Sequence, residues 1–416
     1  MFASSATPAH SEFEACNYRL CPDFCFSDGN IILVAHTTAF RVHQGHLSRH
    51  SEFFKGLFNL PQNLINPTNL LFGCPSVELF DDPTDVYFLL KAIYDGLHFR
   101  NPFPKDFPFL AGVLRLSTKY VLDTFRDICI ARLQRDYPPT LVGWDQREHA
   151  ATEYRPTTGG NGNTARGRYM PRDVIPSPIA VINLARELGI ESLLPAAFYD
   201  LARYSPSKTA IGIPKPTFRD ESPPSPTLSS SSTSSDSEDG HRKMHTNHIF
   251  VSNADLITTF QGRETAQRSI ASFLARELAD RVPTPGTCTA TVHKHRQHET
   301  ASAATTRCAE SFYFIHLNVL RSIGGIAAGR DADPLFTLRQ AKDMLHRTDF
   351  SDLSGSGKVQ GLRMCVGCKR EFGEVVERAR EEMWKEVPGW FGFERGWEGL
   401  WGASGEERER VERWCI

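Results

Sequence analysis

Long apolar runs are missing from this 416-residue chain: the longest, "IILVA" at 31–35, has about five residues, where a bilayer-spanning helix needs roughly 20. The opening "MFASSATPAHSEFEACNYRL" has neither the basic start nor the apolar stretch of a secretory signal. Cys415 stands next to last, so no prenylation box is expected. These absences predict a cytoplasmic or nuclear protein with no membrane partner. Charge of one sign is lacking as well. Lys and Arg number 47 against 49 Asp and Glu, a net −2, so no basic excess argues for nucleic acid. Ten unevenly spaced cysteines suit a reducing compartment better than a disulfide scaffold. Contents of 40% hydrophobic and 23% charged residues are those of an ordinary globular protein, and the length leaves room for two or three domains. No internal repeat is evident.

Catalytic signatures are also wanting. In "FRVHQGHLSRHSEFFKGLF" (40–58), His46 and His50 stand four apart, as the ligands of a zinc hydrolase do. That chemistry needs a Glu after the first His as general base on metal-bound water. Leu47 holds that place, and Glu52 lies beyond the second His. The stretch therefore reads as a strand entering a helix, with His43 in a structural role. "SGSGKVQG" fails as a P-loop, because Val359 stands where a hydroxyl should bind magnesium and Asp352 where a Gly should turn the chain. "GGIAAG" (324–329) follows no convincing strand, so no dinucleotide site is expected. A chain that is not an enzyme is the expectation.

What is present is a mixed N-terminal third and a helical remainder. "NIILVAHTTAFRVH" reads as two short strands joined by a polar turn at His36, Thr37 and Thr38. From Gly45 the apolar spacing turns helical through Leu47, Phe53, Phe54, Leu57 and Phe58. "CPSVELFD" is a further strand. "DDPTDVYFLLKAIYDG" predicts a helix capped by Asp82, with Pro83 in its first turn and Gly96 at its end. "FPFLAGVLRLSTKY" and "LDTFRDICIARLQRDY" add two helices. Beyond them, "SPIAVINLARELG" opens on Ser177 as N-cap, followed by "ESLLPAAFYDLARY", "NADLITTFQGRETAQRSIASFLARELA" and an amphipathic "CKREFGEVVERAREEMWKEVPGW". Segments 153–173 and 205–248 hold too little apolar residue to offset their ordering entropy and are expected to be disordered.

Four cysteines form the remaining candidate site. In "CVGC", the two-residue gap between Cys365 and Cys368 lets both thiolates grip one tetrahedral ion. Cys288 and Cys308 are candidate further ligands, with His293, His295 and His298 as alternatives. Structural zinc, a redox pair and buried free thiols are the readings of this set. No other cofactor is implied.

Phe40, His43, Leu47, Ser51, Phe54 and Phe58 fill, in register, the pattern F-x-x-H-x-x-x-L-x-x-x-S-x-x-F-x-x-x-F, in which the chain resembles a BTB/POZ domain. "VELFDDPTDVYFLLKAIYDG", ending on Tyr94, Asp95 and Gly96, and "VLRLSTKYVLDTFRDICIARL", around Lys119 and Tyr120, resemble later blocks of that family. The likeness spans about residues 22 to 137. "FCFSDGNIILVA", "INLARELGIESLLPAAFYDLARY", the Cys-x-x-Cys pair and "EEMWKEVPGWFGF" are similar to the fungal BTB proteins, which carry a helical region after that domain. Two positions depart from the family. Asn30 replaces the Asp of the zinc-finger repressors, and Gln62, after Leu60, replaces the Glu of the cullin-recruiting members.

The resemblance implies an α+β protein: a BTB/POZ fold, a small mixed sheet flanked by helices, then a mainly α-helical region with disordered insertions. Its expected layout is a flexible 1–20, the BTB domain at 21–140, a helical extension at 141–204, a linker at 205–248 and helices at 249–416. It implies a protein–protein interaction scaffold or adaptor that homodimerises through its first helices. Adaptor to a cullin-type ubiquitin ligase and zinc-stabilised transcriptional regulator are the alternative readings.

Overall fold

The structure, a computed structural model, describes residues 18–60, 70–99, 103–153, 169–215, 248–289, 301–321, 323, 329–348, 350–351 and 359–400. They fall into two compact units, one drawn from Met1–Asp136 and Arg147–Pro176, the other from Tyr137–Gln146 and Ser177–Arg413. The expected extension at 141–204 is thus divided between the two.

The first unit is a mixed sheet with helices. Ile31–Ala35 (β2) is buried at all five positions, the mark of a strand covered on both faces. It pairs antiparallel with Thr38–Val42 (β3) and parallel with Cys74–Leu79 (β5). Arg19–Cys25 (β1) lies parallel to β3, and Leu70–Leu71 (β4) lies antiparallel to β5, giving the order β1-β3-β2-β5-β4. His36, at φ 51°, makes the β2–β3 turn together with Thr37. One sheet face carries Ile31, Leu33, Phe40 and Val42 into a core with Leu47, Phe54, Leu89, Leu90 and Ile93. Each large apolar side chain buried there contributes roughly 1.5–3 kcal/mol.

The helical stretch after β3 is two helices, Gln44–His50 (α1) and Glu52–Phe58 (α2). A continuous apolar stripe predicts one. Ser51 interrupts it by adopting extended backbone (φ −133°, ψ 119°) and accepting the Phe54 N–H on its hydroxyl, so the cap of the second helix ends the first. Pro83–Asp95 (α3) starts as expected, with the Asp82 carboxylate accepting from Thr84 N–H at 2.8 Å. Phe107–Lys119 (α4), Asp123–Asp136 (α5) and Leu141–Glu153 (α6) follow. The last of these falls at the start of the expected helical extension at 141–204, although no motif in the sequence marks its bounds.

The second unit is mainly helical. Its helices are Pro178–Leu188 (α7), Leu194–Ala202 (α8), Pro206–Ile211 (α9), Asn253–Glu277 (α10), Ala301–Leu320 (α11), Pro334–Met344 (α12), Val366–Trp390 (α13) and Gly396–Leu400 (α14). Ser177 occupies the N-cap position of α7, but its hydroxyl makes no capping bond. Segment 205–248, expected to be disordered, is ordered at both ends. Pro206–Ile211 is helical, and Ile213–Pro214 (β6) pairs antiparallel with His248–Ile249 (β7). A 3₁₀ turn at Pro171–Asp173 likewise orders the end of 153–173. Residues 154–168 and 216–247 of those two segments lie outside the described residues. Among the described residues no helix is long and apolar enough to cross a membrane.

Candidate functional site

The strand-to-helix corner of the first unit is built around Tyr94. The His43 backbone N–H donates to the Tyr94 hydroxyl at 3.0 Å, and that hydroxyl lies 3.0 Å from His43 Nδ1. If the hydroxyl donates to Nδ1, the ring proton sits on Nε2, which faces Asp28 Oδ1 at 3.2 Å. Asp28's own backbone N–H, then His43, hold its carboxyl below the usual range. The Phe26 ring stacks on Tyr94 at 4.9 Å. Asn30 accepts the Gln44 N–H at 2.9 Å, so it caps α1 from outside. Gly96, at φ 88°, ends α3 in a conformation that disfavours other residues.

A second tie joins α2 to α4. The Ser51 hydroxyl donates to the Tyr120 carbonyl at 2.6 Å. The Tyr120 hydroxyl donates to Asp81, which also accepts from Lys119 Nζ at 2.7 Å. Burial first, and then Asp81, push the Tyr120 hydroxyl above its ordinary range. Phe40, Leu47 and Phe54 are buried in the core, with Phe58 half-buried beside them. His46 and His50 meet edge to face at 5.4 Å. Burial, together with the charges of His46 and Arg49, lowers the basicity of His50. Asp28 and Asp81, which fix the two corners, carry no signal in the sequence.

The second unit holds the metal-type chemistry. Cys288 closes a turn in which the Thr287 and Cys288 N–H groups both donate to the Thr284 carbonyl, at 3.2 and 3.1 Å. Cys308 sits on the buried side of α11. Cys365 is the N-cap of α13, its Sγ accepting the Cys368 N–H at 3.4 Å. The Cys365 N–H donates to Cys308 Sγ at 3.3 Å. All four sulfurs lie within 4.8 Å of one another. Cys288 Sγ stands 4.0 Å from Cys308 Sγ and 3.8 Å from Cys365 Sγ.

Those separations suit a tetrahedral ion as well as the S–H···S contacts of packed free thiols, and they exclude a disulfide. A tetrahedral ion with metal–sulfur bonds of about 2.3 Å spaces its sulfurs about 3.8 Å apart, whereas a disulfide needs about 2.05 Å. An iron–sulfur cluster interposes inorganic sulfide and spreads its cysteines farther. The four cysteines can hold a metal ion. Among the described residues they are the one group of three or more candidate ligands so placed, and His293, His295 and His298 lie outside those residues. Burial pushes the Cys308 thiol up to about 11 and raises the Cys368 thiol as well, so these two favour the protonated form unless a cation stands beside them.

Close packing sets the geometry. A Cβ on Gly367 would stand 1.9 Å from the Thr287 carbonyl oxygen, so the Cys288 turn reaches the start of α13 only over a glycine. The Arg281 guanidinium lies over the Phe312 and Phe372 rings, at 5.0 and 5.4 Å. It donates to Glu371 Oε1 at 3.0 Å, and the Thr284 hydroxyl donates to the same oxygen at 2.7 Å. This clamp fixes the Cys288 turn to α13, and nothing local in the sequence marks it. No protein-family model and no curated protein matches the sequence.

Proposed function

We propose that this protein is a non-enzymatic interaction scaffold in which an N-terminal unit of BTB/POZ type homodimerises and a helical unit is fastened by one structural zinc on Cys288, Cys308, Cys365 and Cys368. The four-sulfur cluster carries the reading. Four protein thiolates saturate a tetrahedral ion and leave no position for water or substrate, which is the mark of a structural centre rather than a catalytic one. The all-sulfur donor set suits zinc over harder cations. The N-terminal unit supports the other half: a strand hairpin, two short helices, a strand, then three helices stand in the order that the resemblance implies.

Elemental analysis of the purified full chain tests the metal and is expected to give one zinc per polypeptide. A chain without zinc, purified under reducing conditions, removes the metal half. Sedimentation showing a strict monomer at micromolar concentration removes the dimer.

A further inference from the structure

Helix α11 turns Cys308, Phe312, Ile315 and Val319 inward, all buried. Its other side carries Tyr313, Leu317 and Leu320, which are 64%, 43% and 45% exposed. Exposed Glu310 and Arg321 bracket that stripe, one at each end. At about 100° per residue, Glu310, Tyr313, Leu317 and Leu320 share one face roughly 80° wide, and Arg321 stands in the turn directly after the helix. Single exposed apolar residues are ordinary on a protein surface, but a row at helical spacing points to a partner.

We propose that this face is a self-association surface on which α11 pairs antiparallel with the α11 of a second copy. Charge selects the occupant. With an acid at one end and a base at the other, antiparallel pairing sets Glu310 of each copy against Arg321 of the other. Parallel pairing would oppose like charges. A two-fold axis halfway between 310 and 321 carries position 313 onto 318, so each Tyr313 ring lies between Leu317 and Leu320 of the second helix. The face is its own complement in both charge and apolar spacing, as a two-fold interface requires. The proposal rests on the reading of the chain as an interaction scaffold and names a second contact, separate from the N-terminal helices. The metal holds the other side of the same helix, so the ligand Cys308 and the docking stripe share one element.

Sedimentation velocity on the full chain tests it, comparing wild type with Leu317→Glu, Glu310→Arg, Arg321→Glu and the double charge swap. Each variant is first checked for wild-type circular dichroism and zinc content. Leu317→Glu is expected to weaken self-association by about tenfold or more. Each single reversal is expected to weaken it severalfold, and the double swap to restore it, which a merely misfolded variant would not do. Self-association that Leu317→Glu leaves unchanged, or a double swap that rescues nothing, overturns this contact and leaves the N-terminal dimer standing. A wild type that stays monomeric overturns both.

Discussion

Val121 has a φ of 56°, in the left-handed region where a β-branched side chain is most strained. It follows the Tyr120 cap of α4, and the bonds around it define its role. Tyr120 N–H donates to the Leu116 carbonyl at 2.8 Å and Leu122 N–H to the Ser117 carbonyl at 2.9 Å. The second is the six-to-one bond of a Schellman turn, whose left-handed position usually holds glycine. The Ser51 and Asp81 ties to Tyr120 hold the chain there despite the strain. Val121→Gly should therefore stabilise the protein by about 1 kcal/mol, relief of strain exceeding the added freedom of the unfolded chain. A higher urea midpoint checks this, and a lower one contradicts it. Gly367 presents the opposite case. Gly367→Ala drives a methyl group into the Thr287 carbonyl and must part the Cys288 turn from α13. Competition with a chromophoric chelator should show zinc affinity falling about tenfold or more, as expected when a ligand's support is displaced.

At the scale of elements, one carboxylate organises the middle of the helical unit. Asp333 caps α12, accepting from Leu335 and Phe336 N–H at 2.9 and 3.1 Å. It also accepts the Tyr199 hydroxyl at 2.5 Å and Arg203 Nη1 at 2.9 Å, while Arg203 Nη2 donates to Asp200 at 2.5 Å. Tyr199, Asp200, Arg203 and Asp333 are all buried; removing Asp333 leaves the Arg203–Asp200 pair but takes the acceptor from the Tyr199 hydroxyl, one arm of Arg203 and two backbone N–H groups at once. Asp333→Ala should cost about 3–5 kcal/mol, read as a drop in denaturant midpoint. The Asp-Pro opening that marks α3 at Asp82-Pro83 recurs at Asp333-Pro334, a local signal of α12 that the sequence reading passes over. The β2–β3 hairpin and α3 are legible for the same reason, since their apolar period and caps are local. Strand β1 is not, because Phe24 is its one buried residue and no alternation shows. Helix α6 hides for another cause. It buries Arg147 and Glu148 as an ion pair at 2.6 Å, so polar residues occupy core positions and break the apolar period. Ser51 is visible as a cap only once the backbone is seen to turn extended there. The Cys-x-x-Cys gap is plain in the sequence, but the convergence of Cys288 and Cys308 upon it depends on how α11 and α13 pack.

At the scale of the molecule, an ion on the four thiols would act as a cross-link. They join a turn at 288, a helix at 308 and a helix start at 365–368, closing about 80 residues of chain through one point. Closing a loop of that length by chance contacts is entropically costly, and a metal bond removes much of the cost. Around the cluster the protein supplies the Phe312–Phe372 edge contact at 5.7 Å and the Arg281–Glu371 clamp, but without an ion the sulfurs hold one another only by weak thiol contacts. Chelation under reducing conditions should therefore loosen the helical unit and leave the first unit folded. Hydrogen exchange resolves the two. Peptides covering 284–289, 306–320 and 362–376 are expected to lose protection when zinc is stripped and to regain it when zinc is restored. Peptides covering 31–58 and 83–95 should exchange as before. Unchanged exchange around the cysteines would mean that packing alone holds this region and that the metal has no structural role.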